Sequence, residues 1–167
     1  MKIGLLSDTH AYWDPRYEYY FKDCDEIWHA GDMGSPEIAD RMAQLSVFRA
    51  VYGNCDGAPL RQRFPLYDTF VLEGVTVLMT HIGGYPGKYA PGIALLLEKT
   101  QPTLFVSGHS HILKVKYDPV HKLLHINPGA AGHQGFHTVR TLLRFELKSG
   151  RIENLEVIEL ADDVKPL

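Results

Sequence analysis

Ile3-Gly4-Leu5-Leu6-Ser7-Asp8-Thr9-His10 is a short aliphatic run that stops on an acidic residue and a histidine. A few apolar residues closed by turn formers read as a buried strand. The pattern recurs twice downstream: Asp25-Glu26-Ile27-Trp28-His29-Ala30 ends on Gly31-Asp32, and residues 46–52 end on Gly53-Asn54. Two helical stretches separate these runs. Residues 15–22 open on Pro15, and a helix from Pro36 to about Leu45, capped by Ser35, would bury Ile38, Met42 and Leu45. Strand, helix, strand, helix, strand predicts a parallel sheet joined by right-handed crossovers.

Beyond this stretch the pattern changes. Residues 69–72 and 75–80 read as a hairpin turning on Glu73-Gly74, residues 92–99 as a short apolar helix, and residues 103–107 as another buried strand. Residues 115–117, 123–127, 141–146 and 152–158 then read as strands, the last pair turning on Ser149-Gly150. An α/β first part feeding an antiparallel second part predicts two packed sheets flanked by helices. No repeat, low-complexity tract or linker divides the chain, so residues 1–167 are expected to form one domain. A chain of 167 residues suits that reading, since domains run to roughly 100–200 residues. It can bury about 70% of its unfolded surface without disulfides.

Composition narrows the function. With 17 basic against 20 acidic side chains and a formal charge of −3, the chain has no obvious broad basic face. Nucleic acid is therefore not expected as a partner, except as a nucleotide or small fragment. Cys24 and Cys55 alone make no disulfide framework and suit a reducing, cytoplasmic compartment. The run Ile93-Ala94-Leu95-Leu96-Leu97 falls far short of the roughly 20 residues of a membrane span. Met1-Lys2-Ile3-Gly4-Leu5-Leu6 leads straight into Ser7-Asp8, so no signal peptide is expected. Histidine, with nine residues, is the unusual component.

The histidines are organised. Each predicted strand in the first two thirds, except the first arm of the hairpin, is followed by metal-capable residues: Asp8 and His10, Asp32, Asn54, His81, then His109 and His111. Taken singly, Gly31-Asp32 and Gly53-Asn54 are ordinary turn chemistry and His81 an ordinary packed histidine. Ligands bind at the carboxyl ends of strands in α/β sheets. If the strands are parallel and adjacent, two carboxylates, one amide and four imidazoles converge at one edge.

In that order, Asp8-Thr9-His10, Gly31-Asp32, Gly53-Asn54-Cys55-Asp56, His81 and Gly108-His109-Ser110-His111 resemble the calcineurin-like metallophosphoesterases. The early Gly53-Asn54-Cys55-Asp56, the short chain and Asn127-Pro128-Gly129 resemble the small bacterial and archaeal phosphodiesterase branch. The resemblance implies an α/β fold, a four-layer αββα sandwich of two mixed sheets flanked by helices. It also implies two divalent transition-metal ions, Mn²⁺ foremost, with Fe²⁺, Ni²⁺, Co²⁺ or Zn²⁺ as alternatives. Carried over by position, Asp8, His10, Asp32 and His111 would hold one ion. Asp32, Asn54, His81 and His109 would hold the other, with Asp32 shared. Imidazole, carboxylate and amide together suit such ions, whereas Mg²⁺ and Ca²⁺ prefer all-oxygen cages.

The implied activity is hydrolysis of a small phosphodiester or phosphate ester by direct attack of a metal-bridging hydroxide, without a covalent phosphoenzyme. Asn54, Cys55, Asp56 and His81 are the expected catalytic set. Self-association into a homo-oligomer is left open. The alternative is a non-catalytic scaffold, since the phosphoesterase-like subunit of retromer keeps this fold; against it, all seven matched positions here hold residues able to ligate.

Three features depart from the wider family. Cys55 stands where many of its phosphatases carry a proton-donating histidine; a thiol of pKa about 8.5 is the poorer acid at neutral pH. His81 is followed by an extended loop, residues 83–91, with Lys88 and several glycines, which is a candidate flap. Ala130 follows Asn127-Pro128-Gly129 where serine is common. Tyr12, Trp13, Tyr85 and Tyr89 are candidate walls, or stacking platforms for a base. His29, two residues before Gly31, is either a strand-end residue or close enough to support the ligands or donate a proton. His121, His125, His133 and His137 read as structural, although His133 and His137 fall in a Gly-rich loop within reach of substrate.

Overall fold

The computed structural model describes residues 1–161. The opening stretch folds as the sequence pattern predicts. Strands β1 (Lys2–Leu6), β2 (Glu26–His29) and β3 (Val47–Ala50) pair in parallel, linked by helices α1 (Arg16–Phe21) and α2 (Pro36–Leu45). Pro36 takes the first helical turn of α2, and Ser35 enters it in extended conformation, but the Ser35 side chain makes no capping hydrogen bond. Ile38, Ala39 and Met42 are the buried side of that helix.

Helix α3 (Ala58–Arg63), which the sequence pattern does not announce, leads into the hairpin of β4 (Tyr67–Leu72) and β5 (Val75–Thr80). The predicted flap is instead a small hairpin, β6 (Gly84–Tyr85) with β7 (Lys88–Tyr89). Helix α4 (Ile93–Thr100) and strands β8 (Leu104–Val106), β9 (Leu113–Asp118), β10 (Leu123–Pro128), β11 (Arg140–Lys148) and β12 (Arg151–Leu160) complete the described chain.

The antiparallel last third does not form a sheet of its own. Strand order is β12-β11-β1-β2-β3 in one sheet and β4-β5-β8-β10-β9 in the other. The final hairpin therefore returns to the first strand, with Ile3 opposite Phe145. Burial defines four layers. Tyr17, Phe21, Ile38 and Met42 from the helices pack with Leu6, Ile27 and Leu142 on the outer face of the first sheet. Ile3, Leu5, Trp28 and Phe145 meet Val77, Met79, Val106 and Ile126 between the sheets. Ile93 and Leu97 of α4 cover Leu78, Phe105 and Leu123 on the far side. β1, buried on both faces, is for that reason a continuous apolar run rather than an alternating one. No helix among the described residues is long and apolar enough to cross a membrane.

One buried polar contact has a measurable consequence. His125 is 1% exposed, with Nε2 at 2.8 Å from Ser107 Oγ and Nδ1 without a hydrogen-bond partner. Burial, reinforced by Lys114, lowers its pKa to about 4. The unfolded chain takes up this proton first, so stability present above about pH 6.5 is lost as the pH falls toward 4. At ~1.4 kcal/mol per pH unit this amounts to about 3 kcal/mol. Urea midpoints measured at pH 7 and pH 4.5 are expected to fall less in His125→Leu than in the wild type. Equal falls would contradict the assignment.

Candidate metal centre

The residues quoted from five strand ends do converge, but between two sheets rather than along one. Asp8 and His10 follow β1, Asp32 follows β2 and Asn54 follows β3, all from the first sheet. His81 follows β5 and His109 and His111 follow β8, from the second. The loops are laced by backbone hydrogen bonds: Asp8 N–H donates to Gly31 O, His10 N–H to Asp32 O, Gly108 N–H to His81 O and Gly132 N–H to Asp8 O.

Two glycines of the motifs are required by close approach. A Cβ on Gly31, whose φ is +97°, would lie 2.6 Å from His81 Nδ1. A Cβ on Gly53 would overlap the Asp32 carboxylate. Five of the side chains themselves sit on left-handed backbone: Asp8 (φ 54°), His10 (44°), Asp32 (57°), His109 (70°) and His111 (60°). Such conformations cost an L-residue about 1–2 kcal/mol each and cluster where function demands a direction the relaxed chain would not take.

The polar atoms divide into those held and those left over. Asp8 Oδ2 accepts from Ser7 Oγ (2.7 Å) and from the His109 amide (3.1 Å), while Oδ1 has no hydrogen bond. Asp32 Oδ1 accepts from the Cys55 amide at 2.8 Å, leaving Oδ2 at 3.1 Å from His81 Nε2 and 3.8 Å from His10 Nε2. His81 Nδ1 donates to Ala30 O at 2.7 Å, which fixes the tautomer and presents Nε2 as a base. Asp8 Oδ1 lies 3.2 Å from His111 Nε2 and 3.8 Å from both His10 and His81 Nε2. Asp8 Oδ1, His10 Nε2 and His81 Nε2 are buried and make no hydrogen bond. Three such atoms facing one another are costly unless a positive charge joins them, and two imidazole nitrogens beside a carboxylate are what a transition-metal ion takes as donors. Among the described residues the donors form three overlapping groups: Asp8, His10 and His111; His10, Asp32 and Cys55; and Asp32, His81 and His109. This donor set fits the two transition-metal ions that the resemblance implies.

Charge agrees with geometry. Burial works against ionising Asp8, yet His111, His81 and Ser7 hold its pKa below the usual carboxylate value. Burial likewise opposes the Asp32 charge, but His81 and the Cys55 amide keep it ionised. The two carboxylates in turn raise His81 against its burial. His111 is raised by its contact with Asp8, whereas burial and His81 lower His109.

Asp56 stands behind the centre. Its carboxylate accepts from the amides of Gly53 (2.8 Å), Gly34 (2.8 Å) and Met33 (3.3 Å), tying the Asp32 loop to the Asn54 loop. His29 is also a pin: the Gly31 amide donates to Nδ1, so Nε2–H donates to Thr9 Oγ1, and burial keeps the ring neutral. Asn54 and Cys55 are exposed at the rim, with Asn54 Nδ2 donating to Cys55 Sγ at 3.5 Å. Burial and the Asp32 carboxylate push the Cys55 thiol up. Asn127 Nδ2 donates to Gly108 O, so the late Asn-Pro-Gly segment braces the His109–His111 loop; Ala130 beyond it is fully buried.

A cavity of about 460 Å³ opens over the centre, and part of its rim is the Gly-rich loop that holds His137. Gln134, Gly135, Phe136 and His137 line it. Phe136 is fully exposed, and the His137 ring lies 5.2 Å from that of His111. The Gly-rich run was the only signal of this loop. Tyr12, Trp13, Tyr85 and Tyr89 have other partners. Tyr12 packs on His133 and Trp13 on Tyr17, Tyr85 lies under Lys114, and Tyr89 donates to Asp118. That last bond anchors the β6–β7 hairpin to the end of β9, and residues 84–89 do not line the cavity. A second cavity, about 440 Å³ and lined by Tyr52, Leu66, Tyr67, Ile93 and Leu96, meets the first at Asn54.

The profile of the calcineurin-like phosphoesterase superfamily domain matches residues 1–150. A probable metallophosphoesterase of Methanocaldococcus jannaschii is 31% identical over 140 residues, covering 78% of this chain and 68% of that protein. Among solved structures, an archaeal phosphodiesterase superposes with a TM-score of 0.73 at 22% identity, over 96% of this chain and 100% of that one. Vps29 of Chaetomium thermophilum superposes with a TM-score of 0.75 at 14% identity, over 96% and 97% of the two chains. At those identities the two structural likenesses bear on the fold alone. The profile match and the archaeal relative agree with the donor geometry, and the chain belongs to the calcineurin-like phosphoesterase superfamily.

Proposed function

We propose that the chain is a dinuclear-metal phosphodiesterase, acting on small diesters by direct hydrolysis. The carrying observation is the set of three buried, unpartnered atoms, Asp8 Oδ1, His10 Nε2 and His81 Nε2, turned toward one another. In this reading Asp8, His10, Asp32 and His111 hold one ion and Asp32, Asn54, His81 and His109 the other. When bound, two such ions supply the positive charge that receives a phosphate and brings water's pKa toward neutrality. Mn²⁺ is the first choice for reconstitution.

The protein's own part is orientation. Ser7 and the His109 amide fix the Asp8 carboxylate, Ala30 O fixes the His81 ring, and Asp56 positions the Asn54–Cys55 loop. A diester has two arms, and two cavities meeting at Asn54 leave room for both. The free thiols of Cys24 and Cys55 accord with a cytoplasmic setting.

Measured metal content, followed by hydrolysis of an aryl phosphodiester with and without Mn²⁺, tests the proposal. Two ions per chain and metal-dependent turnover support it; a reconstituted protein without turnover leaves the scaffold reading standing. With Cys55 at the histidine position, alkyl esters should be poor substrates beside aryl diesters. Cys55→His is expected to raise turnover of poor leaving groups by ~10²-fold, the low end of what a positioned acid contributes. Unchanged turnover would refute that account of position 55.

A further inference from the structure

We propose that Cys55 is itself a ligand, its sulfur joining His10 and Asp32 on one ion. The inference rests on the metal centre proposed above and adds a donor outside the seven-residue set. Cys55 Sγ, a ring nitrogen of His10 and a carboxylate oxygen of Asp32 all lie within 4.8 Å of one another. The His10 side chain is only 7% exposed, and its Nε2 has no hydrogen-bond partner. The Cys55 amide donates to Asp32 Oδ1 at 2.8 Å, holding the residue beside the carboxylate with which it would share the ion. Asn54 Nδ2 donates toward the sulfur at 3.5 Å, which fixes the side chain on the same rim loop.

Binding is a simple exchange. The S–H bond breaks, a sulfur–metal bond forms and the proton leaves to solvent, with no oxidant or reductant involved. Two consequences follow. A thiolate is a soft donor, so it shifts the preference of this ion toward Zn²⁺, Co²⁺ or Fe²⁺ and away from Mn²⁺. A sulfur bound to metal has no proton to give, which reinforces the dependence on good leaving groups.

Cobalt spectroscopy on the full chain reads this without any assay of turnover. Metal-free protein given two equivalents of Co²⁺ is expected to show a near-ultraviolet sulfur-to-cobalt charge-transfer band. Cys24→Ala should keep the band, because Cys24 is buried. Cys55→Ser should lose it while still binding Co²⁺, and its Zn²⁺ affinity should fall at least ~10-fold with Mn²⁺ affinity far less affected. Alkylation of exposed Cys55 in the metal-free chain should slow when Zn²⁺ is present. Two bound Co²⁺ without the band would overturn the sulfur ligand and leave the dinuclear centre intact. No bound Co²⁺ would overturn both.

Discussion

Asp32→Asn is expected to lower metal-dependent turnover of an aryl phosphodiester by at least ~10³-fold, and to reduce bound metal below two ions per chain. The substitution keeps shape and removes charge. Asparagine can still accept the Cys55 amide through its side-chain oxygen, as Asp32 Oδ1 does at 2.8 Å, so the rim loop stays anchored. What disappears is the anionic Oδ2, 3.1 Å from His81 Nε2 and 3.8 Å from His10 Nε2. Asp32 is the carboxylate that groups with His10 on one side and with His81 and His109 on the other. Losing it should therefore weaken both proposed ions, whereas His109→Gln should weaken one. Elemental analysis after dialysis and the kinetic assay read the two effects separately. A variant that keeps two ions and wild-type turnover would refute the shared role.

The largest effect on stability is expected away from the metals. Asp14 and Arg140 form a buried pair at 2.6 Å, with side chains 4% and 3% exposed. Arg140 Nε also donates to Ala131 O, which accepts from Tyr17 OH as well. These bonds tie helix α1 to the start of the loop that lines the cavity. Removing one partner of a buried pair costs about 3–5 kcal/mol, because the remaining charge stays desolvated. Asp14 retains Arg16 at 2.7 Å, which places Arg140→Met near the lower end. In a chain of this length that corresponds to a fall of roughly 10 °C in Tm. Asp14→Asn combined with Arg140→Met should recover part of the loss, since the stranded charge is then gone. A fall of less than ~2 °C in the single variant would contradict the argument.

Much of this architecture was readable from local pattern. β1, β2, β5 and β8 are short apolar runs closed by Gly, Asp or His, and both the period and the closing residue are properties of neighbouring positions. Helix α3 was not readable: it has six residues and one buried side chain, Leu60, too little for a helical period to show. Nor does any local feature say that β11 lies beside β1, a pairing between Ile3 and Phe145 settled by a shared apolar layer. The loop after His81 offered glycines and a lysine, which suit a flap; Tyr89 hydroxyl on Asp118 at 2.6 Å made it a fixed hairpin instead. At the site, the donor residues were visible as types in order. Their convergence from two sheets, and the approach of His137 and Phe136, depend on long-range packing that no window of sequence contains.

The left-handed backbone at Asp8, His10, Asp32, His109 and His111 bears on what descent can do with this chain. At the three histidines glycine would let the main chain fold with less effort, so replacement there has a downhill direction. At Asp8 and Asp32 it would also strand the His109 and Cys55 amides, and asparagine is the easier exit. A lineage released from its ions would be expected to slide that way, trading carboxylates and imidazoles for glycine or asparagine. Here all five donors are still in place, held against the preference of their own backbone.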